Sequence, residues 1–229
     1  MSLVLYYHPL ASFCHKVLIA LYENETPFEP RVVELSDTSS AADLFRYWPL
    51  GKIPVLYDRD AARAVPETSI IVEYLAQRYP GPTRLIPEDP ESALQVRLWD
   101  RFFDLYVQAP MQTIVSDRRK PSTRRDSHAV DEAEATLHTA YNMLEKQLRD
   151  GGWVVGEELS LADCAAAPAL FYAYAAHPFG DQRPRLTAYF DRLRLRPSVA
   201  RVIAEARPYL QNFPLREALP ERFVTGASH

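Results

Sequence analysis

The first part of the chain alternates short apolar runs with amphipathic segments. Apolar and aromatic residues at 3–7 are typical of a buried strand, and Phe13, Val17 and Leu21 recur at every fourth position, which predicts a helix over 12–24. The pattern then predicts a strand from Phe28 to Leu35, a short helix or an irregular segment at 40–47, a strand from Ile53 to Tyr57, a return strand near 64–65 and a helix over 68–79. This order is βαβ followed by ββα, and the first unit implies a parallel strand pair with a right-handed crossover.

After residue 79 the strand patterns stop. Prolines at 80, 82, 87 and 90 cannot continue a helix, so residues 81–90 are interpreted as a linker. The following pattern predicts a long helix over 91–117, bent near Pro110, and further helices at 127–149, 161–176, 184–194 and 198–206. Ser160 and Asp163 have the spacing of a capping box at a helix start. We therefore predict a small α/β domain at 1–80 and an all-helical domain at 91–229.

Composition excludes several classes of function. The net charge of −4 argues against nucleic acid or an anionic membrane as the main partner. The basic run at 118–120 and 124–125 is interpreted as a solvated loop between helices. Two cysteines, Cys14 and Cys164, are too few for a disulfide framework and indicate a reducing compartment. Because there is no apolar stretch of membrane-spanning length and no metal-binding motif, we expect a cytoplasmic protein without a metal.

Three motifs place polar groups at the ends of predicted elements in the first domain. They are the strand-to-helix turn within Tyr6–Val17, the run Gly51-Lys52-Ile53-Pro54-Val55-Leu56, and the pair Glu67-Thr68. In this order and spacing they resemble the glutathione-binding half of the cytosolic glutathione transferases. The resemblance covers nearly the whole chain and implies a thioredoxin-like domain followed by an all-α domain. It also implies a homodimeric detoxification enzyme that activates the thiol of glutathione, its co-substrate, for attack on a small hydrophobic electrophile.

The resemblance leaves open which residue stabilises the thiolate. The serine that some classes of the family use falls at position 11, where this chain has Ala11. Ser12 falls where the bacterial beta class has its cysteine, and Tyr7 falls where other classes have their tyrosine. Ser12 is the first candidate because its hydroxyl lies at a predicted helix N-terminus, although an ordinary helix cap would also explain it. Tyr7 is the second candidate, and Cys14 is expected to pack in the core.

The same resemblance assigns the contacts with glutathione. A cis peptide before Pro54 would turn the backbone N–H and C=O of Ile53 toward the cysteinyl unit. Lys52 could reach the glycyl carboxylate. Glu67 could accept a hydrogen bond from the γ-glutamyl ammonium, and Thr68 opens a helix whose N-terminus suits the γ-glutamyl carboxylate.

Five further residues complete the expected site. Phe13 is assigned to the glutathione site, beside the catalytic turn. Leu10, Tyr106 and Met111 are expected to line the electrophile pocket, with core packing as the alternative. Asp104 on the long helix is expected to reach across the dimer interface toward the glutathione of the partner, with a solvated carboxylate as the alternative.

Two other functions stay open at this stage. The missing serine at position 11 is compatible with a non-catalytic member of the fold that binds a ligand or a protein. A glutathione-dependent isomerase or dehalogenase is the other alternative, although the Ser-Ser-Cys turn of the isomerase class is absent.

Overall fold

The four strands predicted from the first part of the chain form one mixed sheet. A computed structural model describes residues 1–34, 37–221 and 223. The strands are β1 (Leu3–Tyr7), β2 (Glu29–Val32), β3 (Val55–Asp58) and β4 (Arg63–Pro66), and their spatial order is β2-β1-β3-β4. β1 and β2 are parallel, as the crossover pattern predicts, whereas β3 is antiparallel to both β1 and β4.

Both faces of this sheet are covered by helices. These are α1 (Ser12–Glu23), α2 (Thr38–Tyr47) and α3 (Thr68–Arg78). Because successive side chains of a strand point to opposite faces, β1 contributes to two cores. Leu3, Leu5 and Tyr7 pack in the large core that includes α1 and α3, while Val4 and Tyr6 pack in a small core with α2.

The rest of the described chain is helical. It contains α4 (Pro90–Phe102), α5 (Ala109–Arg119), α6 (Ser127–Gln147), α7 (Leu161–Ala176), α8 (Pro184–Leu195) and α9 (Pro197–Ala206), with short 3₁₀ turns at 122–124, 207–212 and 216–218. Nearly every residue of α7 is buried, and α1 packs directly against α7 and α9. Ser160 and Asp163 form the predicted capping box at the start of α7. The predicted fold class, a thioredoxin-like α/β part followed by an all-α part, is confirmed.

The long helix predicted over 91–117 is interrupted by a widened π-helical segment, Phe103–Gln108, which we call the π turn. It lies directly before Pro110, whose missing N–H cannot bond to the carbonyl of Tyr106. Where the sequence predicts a bend near Pro110, the structure has a change of helix type. The helix then continues as α5 to Arg119. The predicted ends of the second strand at Leu35 and of the helical domain at 224–229 lie outside the described residues. Among the described helices, none combines the length and apolarity needed to cross a membrane.

Candidate functional site

A cavity of about 710 Å³ lies between the sheet and the helical part, and we call it the main cavity. Its volume is within the range of roughly 300–1,000 Å³ that small-molecule sites occupy. One wall is formed by the turn between β1 and α1 and by the loops that follow β2 and precede β3. The opposite wall is formed by one face of α5, by Tyr172 of α7 and by the turn at 207–212.

Ser12 is the first residue of α1 and lines the main cavity. Ala11 occupies the N-cap position of α1, and its methyl group cannot accept a hydrogen bond. The Ser12 hydroxyl lies one residue later and does not cap the helix. Instead, its Oγ accepts a hydrogen bond from the amide Nε2 of Gln108, which is almost completely buried. Since the amide supplies the proton of this contact, the hydroxyl can direct its own proton into the cavity.

Hydrogen bonds on two sides hold the turn that precedes Ser12. The backbone N–H of Leu10 donates to Nδ1 of His8 over 3.1 Å, and the hydroxyl of Tyr172 donates to the carbonyl of Leu10 over 2.9 Å. Because Nδ1 of His8 is an acceptor, its Nε2 carries the proton and donates to Glu34 over 3.1 Å. The turn is thus fixed both to the loop after β2 and to α7.

His15, which is buried in α1, holds the same turn from the side of the core. Its Nε2 donates to the carbonyl of Pro9 over 2.6 Å, and its ring packs against that of Tyr172. Burial lowers the pKa of His15 to about 4, so the ring is neutral at physiological pH. Cys14 is also fully buried, and burial raises the pKa of its thiol to about 12. This thiol is therefore protonated and faces the core.

The loop before β3 brings backbone groups to the cavity. The Ile53–Pro54 peptide bond is cis, as expected, and Ile53 lines the cavity together with Lys52 and Phe13. Lys52 is exposed, and within the described part of the chain its ammonium has no hydrogen bond or ion pair. Pro54 is buried behind this loop.

Glu67 and Thr68 lie beside this loop but outside the lining of the main cavity. Pro66 pairs with Val55 in the sheet, so the start of α3 follows directly beside the cis peptide. Glu67 is exposed and has φ 69°, a backbone region that a non-glycine residue adopts at a cost of about 1–3 kcal/mol. Such strain is found at ligand sites more often than elsewhere. Thr68 is the buried first residue of α3.

Tyr7 occupies a different place from Ser12. It lies on the face of β1 that packs toward α1 and α9, and it lines a second cavity of about 540 Å³ with Tyr22, Arg201 and Glu205. Burial raises the pKa of Tyr7. The alternation of the strand thus directs this phenol away from the main cavity, which leaves Ser12 as the candidate thiolate donor.

Of the residues expected in the electrophile pocket, the structure brings two together. Leu10 and Met111 line the main cavity on opposite walls. Tyr106 does not line it, because its side chain lies on the outer side of the π turn, half exposed and packed against Phe102.

Asp104 is buried inside its own chain, which differs from the expected contact with a partner subunit. Lys16, which is almost completely buried, lies 3.0 Å from Asp104 and 2.5 Å from Asp100. Ser69 donates to Asp100 over 2.6 Å, and Arg101 also contacts Asp104. Burial raises the pKa of Asp104. This cluster ties α1 and α3 to α4 and the π turn, so Asp104 helps to hold the two parts of the fold together.

Sequence reasoning missed several residues of the site. Gln108, His8 and Tyr172 were not singled out, since their contacts join distant parts of the chain. Arg119 was interpreted as part of a solvated loop, but α5 extends to it and its side chain lines the main cavity. The spacing of Met111, Val115 and Arg119 at every fourth position is the signal that could have found this face. In residues 1–34, 37–221 and 223, no three His, Cys, Asp or Glu side chains lie close enough to hold a metal.

A thioredoxin-like domain with a cis-proline loop at a cavity, closed by an all-helical domain, defines the class of glutathione transferase folds. The chain belongs to the glutathione S-transferase family: residues 5–83 match the model of its N-terminal domain and residues 127–192 match that of its C-terminal domain. The resemblance recognised in the sequence is confirmed.

Relatives of the chain carry several activities in their names. It is 27% identical to the glutathione S-transferase GstB of Escherichia coli over 82% of this chain and 91% of that protein. It is 30% identical to a probable maleylacetoacetate isomerase of Vibrio cholerae over 91% of this chain and 98% of that protein. A glutathione S-transferase of Methylobacillus flagellatus, solved with glutathione bound, superposes with a TM-score of 0.79 at 28% identity, covering 88% of this chain and 98% of the other.

Proposed function

We propose that the protein is a cytoplasmic glutathione S-transferase that activates glutathione for conjugation to a small hydrophobic electrophile. This activity would serve detoxification. The observation that carries this proposal is the hydroxyl of Ser12 in the main cavity, held by Gln108 so that its own proton is free to donate. A solved relative with bound glutathione supports the choice of co-substrate.

The chemistry required of the site is the ionisation of a thiol. A free thiol has a pKa of about 8.5, so only a few per cent is thiolate at neutral pH. The Ser12 hydroxyl would donate to the sulfur, and the first N–H groups of α1 have no partner within the helix and present the positive end of its dipole. A decrease of about two units in the thiol pKa corresponds to roughly 2.7 kcal/mol.

The remainder of glutathione would be held by the loop before β3 and by the start of α3. Ile53, oriented by Pro54, would pair its backbone with the cysteinyl unit, and Lys52 would bind the glycyl carboxylate. Thr68 and Glu67 would receive the γ-glutamyl carboxylate and ammonium. Phe13 would cover the thiol side of the peptide. Lys52, Ile53 and Phe13 support this arrangement by their position in the main cavity.

A homodimer is part of the proposal. Leu94, Leu98 and Leu105 are exposed along α4 and the π turn, and Ile70 is exposed on neighbouring α3. Such a row of exposed apolar side chains favours a subunit interface. Sedimentation should give twice the mass of the chain, and Leu98→Glu should shift the mass to that of a monomer. A monomeric wild-type protein at micromolar concentration would contradict this part of the proposal.

The central test compares Ser12→Ala with Ser116→Ala, since both serines line the main cavity. Titration calorimetry should detect glutathione binding to both variants. Ser12→Ala should lower the rate of conjugation to 1-chloro-2,4-dinitrobenzene by up to roughly 10²-fold, the scale of losing one oriented donor, whereas Ser116→Ala should not. Absence of glutathione binding to the wild-type protein would overturn the proposal, and binding without turnover of any electrophile would favour a non-catalytic binding protein.

A glutathione-dependent isomerase is the second candidate, because the relative with that name aligns over nearly its whole length. An isomerase adds the thiolate to a conjugated alkene, allows rotation about the resulting single bond, and releases the thiolate again. It therefore leaves the glutathione concentration unchanged, whereas conjugation consumes it. Measuring free thiol and isomer ratio together with a cis-configured unsaturated ketone separates these functions, and release of halide from a haloalkane would indicate a dehalogenase.

A further inference from the structure

We propose that the electrophile of this site carries a carboxylate or a similar anionic group, and that Arg119 binds it. The inference rests on the proposed function, since it concerns the second substrate of the same cavity. It identifies that substrate as an elongated molecule with a reactive carbon at one end, an apolar middle and an anionic end.

The position of Arg119 along α5 gives the first argument. Met111, Val115 and Arg119 follow each other at intervals of four on the face of α5 that lines the main cavity. At about 1.5 Å per residue, the backbone of Arg119 lies roughly 12 Å along the helix from that of Met111. Long helical side chains lean toward the helix N-terminus, so the guanidinium is directed back over this wall.

The charge of Arg119 gives the second argument. Within the part of the chain that the structure describes, its guanidinium has no ion pair or hydrogen bond. Lys120, the next residue, differs in that it pairs with Asp117 over 3.2 Å. Glu34, which is the carboxylate in the cavity lining, already accepts from His8. A guanidinium in this position suits a carboxylate, which it can bind through two parallel hydrogen bonds.

The charges of glutathione do not account for Arg119. The proposed contacts match its glycyl carboxylate with Lys52, its ammonium with Glu67 and its γ-glutamyl carboxylate with the start of α3. All of these groups lie on the sheet side, whereas Arg119 lies on the helical wall. Met111, Val115 and Phe213 line the same wall as Arg119, so an electrophile there would contact apolar side chains beside the polar Gln112 and Ser116.

The test uses a matched pair of electrophiles, ethacrynic acid and its methyl ester. In the acid, the carboxylate lies across an aromatic ring from the reactive alkene. Thiolate sulfur forms a bond to the terminal alkene carbon, the alkene electron pair moves to give an enolate, and the enolate takes a proton from water. The two compounds share this step and differ only in the charge of the far end.

Arg119→Gln should raise KM for the acid by about tenfold, the scale of losing one charge-assisted pair, with kcat nearly unchanged. The same variant should leave KM for the ester unchanged, and Arg119→Lys should retain part of the preference for the acid. Arg118→Gln is the matched control, because Arg118 is an adjacent exposed arginine outside the cavity lining. Added salt should raise KM for the acid more than for the ester in the wild-type protein.

The outcomes separate this inference from the proposed function. If the wild-type protein conjugates both compounds and Arg119→Gln changes both KM values equally or neither, the inference is wrong and the transferase function stands. If the wild-type protein conjugates neither compound and does not bind glutathione, both are overturned. If Arg118→Gln has the same effect as Arg119→Gln, the preference arises from the general charge of the surface, which also contradicts the inference.

Discussion

The amide nitrogen of Gln108 donates a hydrogen bond to the hydroxyl oxygen of Ser12, although 96 positions separate the two residues in sequence. The contact joins the π turn of the helical part to the first residue of α1. A serine hydroxyl rotates freely unless a neighbour occupies one of its lone pairs. Gln108 therefore selects the direction in which Ser12 can donate.

We expect Gln108→Met to lower the conjugation rate by about tenfold, because the Ser12 hydroxyl loses the donor that orients it. The pKa of bound glutathione should rise in this variant, as measured by the ultraviolet absorbance of the thiolate against pH. In a Ser12→Ala background the same substitution should have no further effect. Gln77→Met, an exposed change on α3 outside the cavity lining, serves as the control; additive losses in the double variant would show that Gln108 does not act through Ser12.

Substitution of Glu67 should separate ligand binding from backbone strain. Glu67→Ala should raise the dissociation constant for glutathione by about tenfold, from loss of a charge-assisted hydrogen bond. Glu67→Gly should weaken binding to a similar extent, yet raise the melting temperature, because glycine adopts the positive φ at this position without strain. Calorimetry and thermal unfolding measure the two effects. Unchanged affinity in both variants would remove Glu67 from the proposed site.

The two cysteines should be unreactive in the native protein. Cys14 and Cys164 are fully buried, and burial raises the pKa of both thiols. A thiol reagent at pH 8 should therefore label neither until the protein is unfolded, when both react. Cys14→Ala should lower the free energy of unfolding by about 1 kcal/mol, a typical effect of a core substitution, and leave the conjugation rate unchanged. Rapid labelling of Cys14 in the folded protein would contradict this assignment.

Stability should decrease as the pH falls from 7 to 5 because of His15. Burial lowers its pKa from 6.5 to about 4 in the folded protein, so below pH 6.5 the unfolded chain binds a proton that the folded chain excludes. The loss over this range is about 2 kcal/mol by linkage. Denaturant unfolding at several pH values measures it. His15→Gln should flatten the profile, whereas substitution of the exposed His128 should not; an unchanged profile in His15→Gln would assign the effect to another group.

The elements of this fold could be predicted because their patterns are local. The apolar run at β1 and the four-residue repeat of Phe13, Val17 and Leu21 identify a strand and a helix without reference to the rest of the chain. The same is true of the capping box of Ser160 and Asp163, where both partners lie within one turn.

The parts of the site that could not be predicted from the sequence depend on contacts between residues that are far apart in the chain. Lys16 has the sequence context of an ordinary helix residue, and its burial follows only from the positions of Asp100 on α4 and Asp104 in the π turn. A lysine without these partners would extend into solvent. The contact of Gln108 with Ser12 is of the same kind. The segment 207–213 contributes Asn212 and Phe213 to the cavity only because it folds back onto α7 and α9.

The π turn also sets the angular position of α5 about the helix axis relative to α4. A widened turn of this kind accommodates one residue more than a regular helix would. If the same residues were wound as a regular helix, α5 would be rotated by about 100° relative to α4, since a regular helix advances 3.6 residues per turn. Met111, Val115 and Arg119 would then leave the cavity together, with no change in their identity. The side chains that α5 presents to the cavity thus depend partly on how the backbone is wound in the π turn, and a change of helix type at this one point would replace one face of α5 with another.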